Sequence, residues 1–315
     1  MVIQMIRLGY VAISASIKNS TSTPYPLTKF SKEQDFKKLD NIIQSNLNAL
    51  IETLIYNEKN NIHFYRVSSN LIPLSTAPSV HFNYITPYKV LYQKIEKIYK
   101  RTNMRIDFHI SQYCVLNSTR KEVITASIEL LKYHYNLLKA MNIKEKIIVL
   151  HIGGNTFGKK NSLSRFINTF QTLPKYLQEI ITIENDDKIF NIKDCLYLSN
   201  KLNIPVTLDY HHHQCNPTEE PLENYLEQIF STWKKKNIPP KIHFSSPKSK
   251  KEIRSHNDYI DSDTFISFLE ILKNYSTNID IMLEAKKKDE ALFRLIRELK
   301  YKTNYHFLDE TTIEI

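Results

Sequence analysis

Short apolar runs rich in Ile, Val and Phe alternate along this chain with longer stretches in which apolar residues recur at helical spacing, and the alternation occurs eight times. The runs that predict strands are Met5–Tyr10, His63–Val67, Arg105–His109, Lys146–His151, Thr182–Glu184, Pro205–Asp209, Pro240–Phe244 and Asp280–Glu284. Each precedes a stretch that predicts a helix: Lys32–Tyr56, Pro87–Arg101, Lys121–Met141, Leu163–Glu179, Ile192–Leu202, Leu222–Lys236, Asp263–Tyr275 and Glu290–Leu299. Strand then helix, with connections this short, requires parallel strands and right-handed crossovers. Eight such units close into a (β/α)8 TIM barrel; an open doubly wound sheet is the alternative. Gly153 and Gly154 follow the fourth strand without the spacing of a phosphate fingerprint, which argues against a dinucleotide site. No repeat or linker divides the chain, so the expectation is one domain over residues 1–315, a barrel over about 5–300 and a short C-terminal tail.

Composition changes this picture little. A chain of 315 residues, 42% hydrophobic, supplies one large core. No stretch approaches the roughly 20 apolar residues of a membrane span, and Met1–Tyr10 lacks a signal-cleavage pattern, so an intracellular, non-secreted protein without membrane attachment is expected. Cys114, Cys195 and Cys215 lie far apart and form no Cys-x-x-Cys pair, which suits a reducing compartment. A net charge of +10 favours a polyanionic partner. The chain is also rich in Lys, Asn, Ile and Tyr, as AT-rich coding produces, so an ordinary solvated surface accounts for the charge equally well.

The chemistry is positional. His109 closes the third predicted strand, His151 the fourth, Glu184 the fifth and Asp209 the sixth; His243 lies in the seventh and Glu284 closes the eighth. In a parallel barrel these ends share one face, where the active sites of this fold are built. A lone His at a strand end is more often a satisfied rim or core group, by roughly three to one. Three imidazoles and three carboxylates converging on one mouth need cations, because buried carboxylates need a charge partner. Mixed N and O donors suit Mn²⁺, Zn²⁺ or Fe²⁺. In Asp209-Tyr210-His211-His212-His213 the strand ends and a loop follows; His212 is expected to fold back onto the site, His211 and His213 to face outward. Lys241 and His243, two apart on one strand, share the barrel interior, where Lys241 serves as a counter-ion or is modified to an acid. On the loop after His109, Gln112 and Tyr113 are either polar surface or a pair that unstacks a base, and Tyr10, at the end of the first strand, is placed to act from across the pocket.

With these segments in place the chain resembles the UV damage endonuclease family, barrel hydrolases that nick DNA directly 5′ of pyrimidine dimers and related lesions. The resemblance runs from Ile6-Arg7-Leu8-Gly9-Tyr10 to Leu283-Glu284-Ala285-Lys286. It is carried by Tyr65-Arg66-Val67-Ser68-Ser69 with Leu71-Ile72-Pro73, by His109 with Gln112-Tyr113-Cys114-Val115-Leu116-Asn117, and by His151-Ile152-Gly153-Gly154. Ile183-Glu184-Asn185-Asp186-Asp187, Asp209 with His212, Lys241 with His243, and His256 with Asp258 complete it. The resemblance implies two or three divalent metals, usually Mn²⁺, on His109, His151, Glu184, Asp209, His212, His243, His256 and Glu284. It implies a damaged-duplex partner, a Lys241 that can be carboxylated and then acts near the metals, and lesion contacts from Tyr10, Gln112 and Tyr113; a two-metal hydrolysis on this set gives Glu184 and Glu284 bridging roles, with another metal or His256 at the departing 3′ oxygen. Two positions depart. Ala77 stands where the family often has a metal-ligating His, which leaves a third metal short of a ligand unless His81 replaces it. Val11-Ala12-Ile13-Ser14 replaces a polar run with Asn, so Ser14 is expected to supply part of a lesion contact. Rival readings are an abasic-site endonuclease, a xylose-isomerase-like sugar enzyme, and a DNA-binding barrel without catalysis; the chain is expected to be a monomer.

Overall fold

The computed structural model describes residues 4–275 and 277–315; residues 1–3 of the apolar start lie outside the described residues. Eight parallel strands form a closed barrel: β1 (Met5–Ala12), β2 (Phe64–Val67), β3 (Arg105–His109), β4 (Ile148–His151), β5 (Ile181–Glu184), β6 (Val206–Asp209), β7 (Lys241–Phe244) and β8 (Ile279–Leu283). Pairing of β1 with both β8 and β2 closes the ring. The helices are α1 (Leu27–Glu33), α2 (Phe36–Lys59), α3 (Lys89–Thr102), α4 (Lys121–Ala140), α5 (Lys159–Thr172), α6 (Lys175–Gln178), α7 (Ile192–Leu202), α8 (Tyr210–Cys215), α9 (Glu223–Ser231), α10 (Ser262–Leu272) and α11 (Lys288–Lys302). The (β/α)8 expectation holds, and the doubly wound alternative falls with ring closure.

Strand alternation sorts the side chains. Even positions of β1, Ile6, Leu8 and Tyr10, join the main apolar core, while Val11 clusters with Phe64 and Met282 in a separate group. The barrel carries charge in depth. At its lower end Asp280 is paired by Arg7 at 2.6 Å and by Arg105 at 2.8 Å. Higher up, Lys241 donates to both oxygens of Asp107 at 2.8 and 2.9 Å. Glu184, His109, His243 and Asp209 occupy the strand ends. Arg105 lies between the rings of Phe64 and Trp233, each 5.1 Å from its guanidinium carbon.

Three departures from the predicted elements have local causes. The expected helix Leu163–Glu179 is α5 and α6, divided where Pro174 lacks the N–H that would continue it. The expected loop after Asp209 is helical: the carboxylate caps α8 by accepting from the His212 N–H at 2.7 Å. The expected C-terminal tail is a hairpin, β9 (His306–Phe307) and β10 (Thr312–Glu314). β10 pairs antiparallel with Met5–Arg7 of β1, below the point where β1 meets β2, and so satisfies edge groups that the barrel stagger leaves open.

Candidate metal centre

The strand ends place His109, His151, Glu184, Asp209, His212, His243 and Glu284 at one mouth, as the sequence predicts. Ligand atoms of His109, Glu184 and His243 lie within 4.8 Å of one another, as do those of His151, Glu184 and His212, and of Asp209, His243 and Glu284. Glu184 belongs to two triads and His243 to two, so the three overlap. The Glu184 carboxylate is 2.6 Å from His109 Nε2 and 2.9 Å from His243 Nδ1. His109 Nδ1 lies 2.8 Å from the Ile110 carbonyl; an N–H there leaves Nε2 facing the site. His212 Nδ1 stands 3.6 Å from Glu184 and 3.5 Å from Asp209. His256 reaches Glu284 at 3.8 Å but belongs to none of the three triads.

Charge in this cluster is unbalanced. Burial opposes ionisation of Glu184, yet His243, His109 and His151 outweigh it and hold the carboxyl well below its usual range. Burial works against Glu284 too, and Arg66 and His243 overcome it. At Asp209 burial wins, with Glu184 and Glu284 adding to it, and the carboxyl is pushed well above its usual range. Burial lowers His243 to about 4. His212 rises to about 9 because Asp209, Glu184 and Glu284 outweigh its burial. The cluster thus retains protons where cations would serve. Asp209 Oδ2, His151 Nδ1 and His243 Nε2 are buried without a hydrogen-bond partner. Orphaned donor atoms of mixed N and O type fit divalent transition metals.

Several expectations need correction. Tyr10 does not face the mouth: it is fully buried, its hydroxyl donates to Asn57 Oδ1 at 2.7 Å, and its ring packs on Tyr65. The cause is strand parity, since β1 turns its even positions toward the helices. Ser14 is buried as well and donates to Asp289 at 2.8 Å, so its hydroxyl is already engaged. His211 is buried rather than outward, 5.4 Å from the His256 ring, because α8 turns it inward; His213 is half-buried. Lys241 makes its ion pair with Asp107 and none with Glu184 or Glu284 among the described residues. Burial lowers it to about 8 against the pull of Asp107. A carboxylated Lys241 would set two negative groups together, so this geometry favours the counter-ion. Ala77 packs against the hydrophobic core and His81 is exposed; neither lines the mouth.

The mouth opens into a cavity of about 870 Å³ whose walls include Arg66, His109, Gln112, His151, Asp186 and His212. Gln112 is exposed on its rim, and Tyr113 is 74% exposed beside it. Two contributors carry no predicted role. Arg66, at the end of β2, is ion-paired with Glu284. Asn185 exchanges bonds with the Asp209 backbone at 2.8 and 2.9 Å, and its own carbonyl lies 3.0 Å from His212 Nδ1. The signal for Arg66 was parity: it lies two residues after the inward Phe64.

The chain as a whole has known relatives. The family model described as UV-endonuclease UvdE matches residues 6–313. The chain belongs to the UvdE family. A UV DNA damage endonuclease of Bacillus cereus strain B4264 is 40% identical over 300 residues, covering 94% of this chain and 95% of the relative. The crystal structure of SacUVDE superimposes with a TM-score of 0.86 at 35% identity, over 94% of this chain and 98% of that one. Endonuclease IV from Thermus thermophilus aligns with a TM-score of 0.55 at 12% identity, over 94% and 100%, a likeness of fold alone. No helix among the described residues is long and apolar enough to cross a membrane.

Proposed function

We propose that this UvdE-family chain is a metal-dependent hydrolase that nicks duplex DNA on the 5′ side of UV photoproducts, leaving a 3′ hydroxyl and a 5′ phosphate. The observation that carries the reading is Glu184, shared between two ligand triads at the barrel mouth and held ionised by three imidazoles. The family and the curated relatives support the substrate class. His109, Glu184 and His243 would hold one divalent ion, and His151, Glu184 and His212 a second; Asp209, His243 and Glu284 form a further set although Ala77 supplies nothing. Mn²⁺ suits these donors, and such ions, when bound, supply positive charge to the scissile phosphate and acidify water.

The chain's own residues set the geometry around that chemistry. Arg66 fixes the orientation of Glu284 and offsets its charge. His256 stands at the outer side of Glu284, placed to hydrogen-bond the departing 3′ oxygen. Gln112 and Tyr113 on the rim are placed to enter the stack beside a lesion, where a dimerised, poorly stacked pair costs less to open than an intact one. All these groups come from one chain, so the site requires no second copy.

The test uses Mn²⁺ and duplex oligonucleotides carrying one cyclobutane dimer, one abasic site or no lesion. Nicking 5′ of the dimer is expected, and Glu184→Gln should abolish it while the barrel stays folded. Cleavage confined to the abasic site would sink the photoproduct reading. Bound metal without any cleavage would sink the enzymatic one.

A further inference from the structure

Phe157 lies on the connection between β4 and α5, at the same end of the barrel as the ligands. It is 76% exposed, and its backbone is left-handed, with φ of 61°. Both features are unfavourable for a Phe. A large apolar side chain gains by burial, and a non-glycine residue at positive φ brings its Cβ against the following carbonyl. Gly158, which follows, is itself at φ of 90°, so two successive residues hold positive φ and only the second is a glycine.

The surroundings hold Phe157 in place. Arg165 donates to the Thr156 carbonyl at 2.5 Å and to the Asn117 carbonyl at 2.8 Å. Asn161 donates to the carbonyl of Phe157 itself at 2.7 Å. The Asn117 side chain also donates to the Gly154 carbonyl at 2.7 Å and accepts from the Gly154 N–H at 3.1 Å, and a Cβ on Gly153 would stand 2.5 Å from its side-chain oxygen. These bonds join the Phe157 connection to the one after β3, which carries Gln112 and Tyr113. Positive φ held by several hydrogen bonds, with the ring turned to solvent, leaves Phe157 displayed at this end of the barrel.

We infer that Phe157 is a second aromatic contact for damaged DNA in addition to Tyr113, a ring that stacks on a base unstacked at the lesion. The inference rests on the proposed function and extends its recognition surface. A phenyl ring has no hydrogen-bonding group, so it reads an open base face and not base identity.

Phe157→Gly separates this role from a structural one. Glycine accepts the left-handed backbone, so the variant should melt no lower than the parent and keep its metal content. Its affinity for a dimer-containing duplex, measured by fluorescence anisotropy with the Glu184→Gln background preventing cleavage, should fall at least about tenfold, the scale of one lost base–aromatic stack. Phe157→Trp should retain binding. Unchanged lesion affinity in Phe157→Gly, with dimer nicking by the parent protein intact, overturns the role of Phe157 and leaves the proposed function standing. Failure of the parent to nick dimer DNA removes both.

Discussion

Asp209 does two things with one carboxylate. Oδ1 caps α8 through the His212 N–H, while Oδ2 is buried without a hydrogen-bond partner, 3.5 Å from His212 Nδ1 and near Glu184 and Glu284. The cap survives replacement by Asn, which serves about as well at that position; the unfavourable interaction with Glu184 and Glu284 does not. Asp209→Asn should therefore stabilise the metal-stripped protein, by about 1 kcal/mol of unfolding free energy, while weakening metal affinity at least about tenfold. Chelated and Mn²⁺-loaded samples melted in parallel would check this, and a lower midpoint in the chelated variant would contradict it. Most of the candidate ligands were legible in the sequence because they close predicted strands; His243 lies within one and His212 follows one. Tyr10 shows the limit of that rule: it also closes a predicted strand, but only the inward parity of Arg7 and Val11 reveals that it points to the helices. Asp107 and Arg66 were missed for a related reason, since both lie among residues that periodicity marks merely as strand and their role appears only when β2, β3, β7 and β8 are brought together.

Whole elements were legible where apolar spacing persists and illegible where a few atoms decide. The eight strands and most helices follow from spacing alone. The helical turn of α8 depends on one cap, and the C-terminal hairpin depends on an edge of β1 that exists only after the barrel closes. That hairpin is a structural part of the fold. Ile313 is fully buried in the main core, Thr311 supplies a carbonyl to the Leu8 N–H at 2.9 Å, and Asp309 pairs with His63 at 2.8 Å. Ile313→Ala should lower unfolding free energy by about 3 kcal/mol, within the range for truncating a buried Ile. The hairpin pairs with the start of β1 and the candidate ligands gather at the opposite strand ends, so bound metal per folded chain should not change. Equilibrium denaturation with metal analysis below the transition checks both halves; metal lost from the folded variant would mean that the two ends of the barrel are coupled.

The net charge of +10 gains meaning only against the whole molecule. Exposed Lys and Arg stand near the mouth, at Arg120, Lys121, Lys160, Lys188, Arg254 and Lys286, but Lys144, Lys146, Lys235 and Lys236 gather around a cavity among the opposite loops. Basicity therefore could not locate the DNA face in the sequence. It does fix how binding should respond to salt. Phosphate contacts release counterions and are common to damaged and intact duplexes, whereas the rim groups proposed to read the lesion, Gln112, Tyr113 and Phe157, are uncharged. Affinity for either duplex should fall on the order of 10³-fold between 50 and 200 mM salt, roughly the effect of six phosphate contacts. The ratio of the two affinities should change by less than about threefold over the same interval, because its origin is stacking and hydrogen bonding. Parallel anisotropy titrations of Glu184→Gln on both duplexes measure the two slopes. A lesion preference that collapses with salt would assign discrimination to a Lys or Arg and take it away from the three rim residues.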